Sequence, residues 1–118
     1  MSLPPNDGPE RRQTGRIPLH FYMEVEFISQ TVQRTRIRLS VEIIDASQDG
    51  RGVALWVSRE HSIPLGKNIA LRRNGQPDIH GIVVSRLGTH ARNRIGVRID
   101  PHDQAAVRDL VARHSAAP

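Results

Sequence analysis

The feature that most restricts the fold of this chain is a period of two in its apolar residues, repeated in short runs from end to end. In the clearest run Ile37, Leu39, Val41 and Ile43 alternate with Arg36, Arg38, Ser40 and Glu42. Successive side chains of a strand point to opposite faces, so this alternation marks a half-buried β-strand. Phe21, Met23, Val25 and Phe27 alternate in the same way with Tyr22, Glu24 and Glu26, which predicts a first strand over roughly Leu19 to Ile28. Val53, Leu55 and Val57 alternate with Ala54, Trp56 and Ser58, and Ile95, Val97 and Ile99 with Gly96 and Arg98. Weaker runs predict a short strand from Lys67 to Arg72, with Ile69 and Leu71 inward, and one from Ile79 to Leu87, with Ile82 and Val84 on a shared face.

Turn chemistry separates these runs. Ser29 to Gln33 is a polar break, Ile63-Pro64-Leu65-Gly66 combines a preset φ with a closing glycine, and Asn74-Gly75 is a strong hairpin signal. A basic link from Gly88 to Asn93 precedes the last strand, and Pro101 ends it. Asp103 is positioned to cap a helix in which Ala106, Val107, Leu110 and Val111 recur at helical spacing. Six short strands followed by one helix predict an all-β chain, a six-stranded antiparallel barrel with a short C-terminal helix. The interior of so small a barrel is filled by side chains, which leaves a ligand the rim or the outer face.

The 118 residues suit one domain with a self-sufficient core. Residues 1–9 read as a tail rich in proline that buries no apolar area, and 10–118 as the domain: an arm over 10–18, the barrel over 19–100 and the helix over about 103–114. The opening residues do not resemble a secretory signal, and no run of about 18 apolar residues occurs, so a cytoplasmic protein without membrane insertion is expected. Cysteine is absent, which removes disulfides, thiolate metal sites and a cysteine nucleophile. The six histidines show no short ligand spacing, and no nucleophile elbow or phosphate loop appears. No catalytic or metal site is therefore expected. The net charge of +5 favours anionic partners without choosing among them.

Two polar stretches interrupt the alternation. One is Arg11-Arg12-Gln13-Thr14-Gly15-Arg16, at the mouth of the first strand; the other is Asp45-Ala46-Ser47-Gln48-Asp49-Gly50, at the exit of the second. Together, RxxxR (Arg12 and Arg16) and DxSxxG (Asp45, Ser47 and Gly50) resemble the paired signature of the PilZ domain family, over about Glu10 to Asp100 and with the elements in the same order. The resemblance implies a six-stranded barrel that binds cyclic di-GMP through Arg12, Arg16, Asp45, Ser47 and Gly50 and signals to a downstream protein. In that family an arginine just before RxxxR, here Arg11, accompanies a stacked ligand pair, so two cyclic di-GMP molecules per protomer is the corresponding hypothesis.

Residue chemistry is compatible with such a ligand. The planar fork of arginine can bind phosphate, pair with guanine and stack on a ring. On an extended arm Arg12 and Arg16 lie up to roughly 13 Å apart, at ~3.3 Å per residue. Asp45 can accept from guanine donors or orient an arginine, Ser47 adds a hydroxyl, and Gly50 permits positive φ with no side chain between backbone and ligand. The sequence departs from the family in lacking a tryptophan at the end of the fifth strand, where it reads Val83-Val84-Ser85-Arg86, and in carrying Arg51 after the motif glycine. Trp56 is a candidate platform or a packing partner of the helix. A nucleotide-independent adaptor of the same fold and a barrel that binds single-stranded nucleic acid are the alternative readings. The second ranks last, because such barrels stack bases on several exposed aromatics.

Overall fold

The computed structural model describes residues 15–29, 35–61 and 63–114. Strands β1 (Arg16–Ser29), β2 (Thr35–Ser47), β3 (Gly52–Ser58), β4 (Asn68–Arg73), β5 (Gln76–Gly88) and β6 (Arg92–Ile99) are followed by a 3-10 turn (Pro101–Asp103) and helix α1 (Gln104–His114). All strand pairs are antiparallel, and they close into a barrel in the order β1-β2-β3-β6-β5-β4. This is the six-stranded barrel with a C-terminal helix that the alternation predicts. No helix among the described residues is long and apolar enough to cross a membrane.

The inward positions of the alternating runs form one core. Val25, Phe27, Val41, Ile43, Leu55, Val57, Ile69, Leu71, Ile95, Val97 and Ile99 are buried, with Phe21, Met23, Ile37 and Leu39 packed against them half-covered. Helix α1 adds Val107 and Val111, while Leu110 lies at the edge of the contact. Its last residue, His114, stacks on Phe21 with ring centroids 3.9 Å apart. At the outer face Glu26 accepts from Arg72 at 2.9 Å and from Arg38 at 3.0 Å, and forms an ion pair with Arg36 at 3.0 Å, linking β1 to both of its neighbours. Burial alone would raise its pKa, but the Arg72 hydrogen bond and the charges of Arg36 and Arg38 outweigh that and hold the carboxyl below its usual range.

Four register shifts interrupt the ladders; one lies beside the β4–β5 turn, between Leu71 and Arg73, and the other three change which face the strands present. Between Pro18 and Phe21 β1 carries an extra residue against β2; Ile44 is extra in β2 against β3; Val84 is extra in β5 against β6. A bulge places two residues opposite one and reverses which face the next residues occupy. Val83 is buried in phase with Ile79; Ile82 and Val84 share the outward face, and the bulge turns Ser85 outward after them.

The helix start also differs from expectation. Asp100 accepts the His102 N–H at 3.0 Å and caps the 3-10 turn. Asp103 instead accepts the His80 N–H at 2.8 Å and faces His80 Nδ1 at 3.0 Å, fastening the start of the helix to β5. Gly50 has φ of +83° and is buried. A Cβ built there would lie 2.3 Å from the Gln104 carbonyl oxygen, so the glycine is needed by the helix that crosses it.

Gly50→Ala should therefore destabilise the protein by about 2 kcal/mol, combining overpacking with a left-handed backbone. Urea denaturation measures it, with Gly75→Ala, at a glycine of φ +73° with open space around it, isolating the backbone contribution.

A pH dependence follows from Asp103. Burial alone would raise its carboxyl, yet the His80 N–H and imidazole hold it below the ordinary 3.8. A depressed folded-state pKa gives stability that is complete above the unfolded value and is lost as pH falls through the folded one. Stability should decline on acidification below about pH 4. Urea melts at pH 7 and pH 3 should show a smaller decline in Asp103→Asn than in the parent protein.

Candidate functional site

The bulge at Ile44 creates the site. With Ile43 inward, an unbroken strand would send Asp45 inward too; the extra residue turns Ala46 into the core at 1% exposure and Asp45 to the outside. There Asp45 pairs with Arg16 through Oδ1, and Arg94 Nη2 donates to Oδ2 at 3.2 Å. Arg16 belongs to β1 and pairs in register with Ser47 of β2, so the second arginine of RxxxR lies inside the ladder and not on a separate arm. Arg94 comes from β6, on the far side of β3. Between them Ala54 is the Cα partner of both Asp45 and Gly96, and no large side chain intervenes.

The Asp45–Gly50 turn is internally bonded. Gly50 donates to the Ser47 carbonyl at 3.0 Å, and Gly52 N–H donates to Ser47 Oγ at 2.9 Å. Arg51 N–H donates to Asp49 Oδ1 at 3.1 Å, an Asx-turn made by Asp49 and not by Asp45. That N–H, followed by the Ser47 hydroxyl, holds the Asp49 carboxyl below its usual range. From behind, Arg108 Nη1 of the helix donates to the Asp49 carbonyl at 3.1 Å.

In front of the turn runs an open groove of about 1160 Å³, lined among others by Arg16, Ser47, Asp49, Arg94, Gly96 and Arg98. Glycines floor it. The Arg16 Nη1 atom lies 3.4 Å from where a Cβ of Gly52 would stand, and a Cβ on Gly96 would meet Ser85 Oγ at 2.2 Å. Val84, on its bulge, stands at the opposite edge. Four arginines, Arg16, Arg51, Arg94 and Arg98, meet two carboxylates, Asp45 and Asp49, leaving the groove with an excess of two positive charges.

Of the residues singled out in the sequence, Arg16, Asp45 and Ser47 are brought together, and Gly50 closes the same turn from the helix side. Arg11 and Arg12 lie outside the described residues. Trp56 does not pack under the helix: the Arg92 guanidinium lies 3.9 Å over its ring on the outer face of β3 and β6. Arg86 is exposed beyond the groove. Arg94 and Arg98 were not legible as site residues. Their only sequence signal is the recurrence Arg92, Arg94, Gly96, Arg98 on the outward positions of β6, which any solvated strand face could carry.

No protein-family model matches the chain, and no curated protein matches it. The fold and groove thus define the molecule on their own terms: a small antiparallel barrel with a cationic, glycine-floored groove on its outer face.

Because both arginines bound to Asp45 are about one-third exposed, their pairs contribute modestly to stability. Each should show a coupling of about 1 kcal/mol or less in double-mutant cycles, Asp45→Ala with Arg16→Ala and with Arg94→Ala, read by urea denaturation.

Proposed function

We propose that this protein is a PilZ-like receptor for cyclic di-GMP, bound in the groove beside the Asp45–Gly50 turn. The observation that carries the reading is the ion pair between Arg16 and Asp45. It joins the two halves of the sequence signature at one groove wall, although 29 residues separate them. A ligand with two phosphates and two purine bases needs fixed positive charge, donors and acceptors for base edges, and a floor that admits flat groups closely. The excess positive charge, the arginine forks and the glycine floor supply these. A groove of about 1160 Å³ is also roomy enough for a dinucleotide.

In this reading Asp45 orients the forks of Arg16 and Arg94, and Arg11 and Arg12, which lie outside the described residues, are assigned to the ligand by the sequence motif alone. The Ser47 hydroxyl fixes the turn through Gly52 and gives the ligand little beyond its shape. The receptor works in the cytoplasm without chemistry of its own, and a partner protein reads the surface that the ligand alters. The stacked ligand pair implied by Arg11 is a question of stoichiometry within the same site.

Calorimetric titration should give saturable binding of cyclic di-GMP and none of comparable strength for GMP, GTP or a single-stranded oligonucleotide. Arg12→Ala, Arg16→Ala and Asp45→Ala should each weaken it about tenfold or more, the loss of at least one charge-assisted contact. Tighter binding of the oligonucleotide would turn the reading toward nucleic acid; binding of neither would leave a protein adaptor. Saturation at one ligand would remove the stacked pair.

A further inference from the structure

Arg98 is the one arginine of the groove whose charge is left unanswered. Arg16 and Arg94 are bound to Asp45, and Arg51 lies 3.5 Å from Asp49. The Arg98 side chain has neither an ion pair nor a hydrogen bond among the described residues, and it is exposed. Its place in the fold is set by the ladder. It is the Cα partner of Gly52 on one side and of Ile82 on the other, and it follows Gly96 by two residues on the same outward face. Gly52 is also the residue over which Arg16 lies, with Nη1 3.4 Å from the position of a Cβ. Arg16 and Arg98 therefore flank the same glycine, one tied to a carboxylate and one not.

A guanidinium in this position has its charge answered by no carboxylate among the described residues. A dianion in the groove would offset it, and the groove's excess of two positive charges matches two phosphodiester groups. We propose that Arg98 is the phosphate-binding residue of β6: it clasps one phosphate of the ligand against the Gly52–Gly96 floor from the side opposite Arg16. This rests on the cyclic di-GMP reading above and extends it to a residue that neither motif contains. Arg94, two residues earlier, keeps its role of bracing Asp45, so the strand divides support and capture between two arginines on one face.

The test is titration of cyclic di-GMP into the parent protein, Arg98→Ala, Arg98→Lys and the control Arg86→Ala, repeated across salt concentrations. Arg98→Ala should raise Kd about tenfold or more, equivalent to about 1.4 kcal/mol, and should flatten the salt dependence of binding, because one cation–phosphate contact has gone. Arg98→Lys, which keeps charge but loses the fork, should recover part of the affinity and all of the salt dependence. Arg86→Ala should change neither. Coincident thermal melts establish that the exposed substitutions leave the fold intact. If the parent protein binds and Arg98→Ala binds equally well with an unchanged salt slope, the assignment of Arg98 is overturned while the receptor reading stands. If the parent protein does not bind cyclic di-GMP at all, the receptor reading falls and takes this one with it.

Discussion

The site rests on one carboxylate shared by strands that are not neighbours. Asp45 on β2 holds Arg16 of β1 with one oxygen and Arg94 of β6 with the other. Without it two guanidinium groups would stand side by side over Ala54 with nothing to separate or aim them. The pair energies are small because the arginines reach solvent. What Asp45 provides is orientation: it holds the Nη2 of each fork on residues that line the groove, and a planar cation so fixed can offer its other donors to phosphate or a base edge.

That carboxylate is available only because the strand carrying it is irregular. In phase with Ile43, Asp45 would enter a core that is almost entirely aliphatic and aromatic, where an ionised side chain with no partner is strongly disfavoured. The extra residue at Ile44 exchanges Asp45 for Ala46 at the inward position. The bulge at Val84 acts similarly on β5, turning Ser85 outward to face Gly96 and lifting Val84 to the groove edge. A third bulge in β1 lies beside Pro18, the Cα partner of Asp45. All three fall on strands that meet at the groove, and the floor between them is built of glycine, alanine and serine, so the barrel wall is concave there instead of covered by side chains.

This explains which parts of the molecule were legible in the sequence. The barrel was, because alternation survives a bulge: Val25, Val41, Leu55 and Ile95 are buried as their period requires. Asp45 and Ser47 were recognisable through motif spacing. Arg94 and Arg98 were not, since they lie 49 or more residues from Asp45 and occupy ordinary outward positions of a basic strand; only the strand order places β6 beside β3. The phase shift at Val84 leaves no mark in composition, so nothing in the sequence places Ser85 on the same outward face as Ile82 and Val84. The left-handed backbone of Gly50 is legible from the motif, but its contact with the helix is not, because that helix begins 54 residues later. Asp103, a good capping residue by type, is drawn away by His80, whose proximity depends on the whole barrel having closed.

The groove's two sides differ in how much they can move, and this bears on where selectivity resides. The Asp45–Gly50 turn is bonded from within by Ser47 and Asp49, to β6 by the Ile99 N–H on the Arg51 carbonyl at 2.8 Å, and to the helix through Arg108 and the close contact at Gly50. A wall so constrained has no ordering cost left to pay when a ligand arrives. The arginines do: a long side chain carries about 2 kcal/mol of rotamer entropy, and Asp45 has already removed part of it for Arg16 and Arg94 but none for Arg98. In the proposed cyclic di-GMP reading, a monophosphate that engaged only the braced arginines would forgo the free one, whereas a ligand with two phosphates would engage both and offset the cost of ordering Arg98. Discrimination between one phosphate and two would then follow from the unequal freedom of side chains around a rigid turn, with no rearrangement of the barrel required.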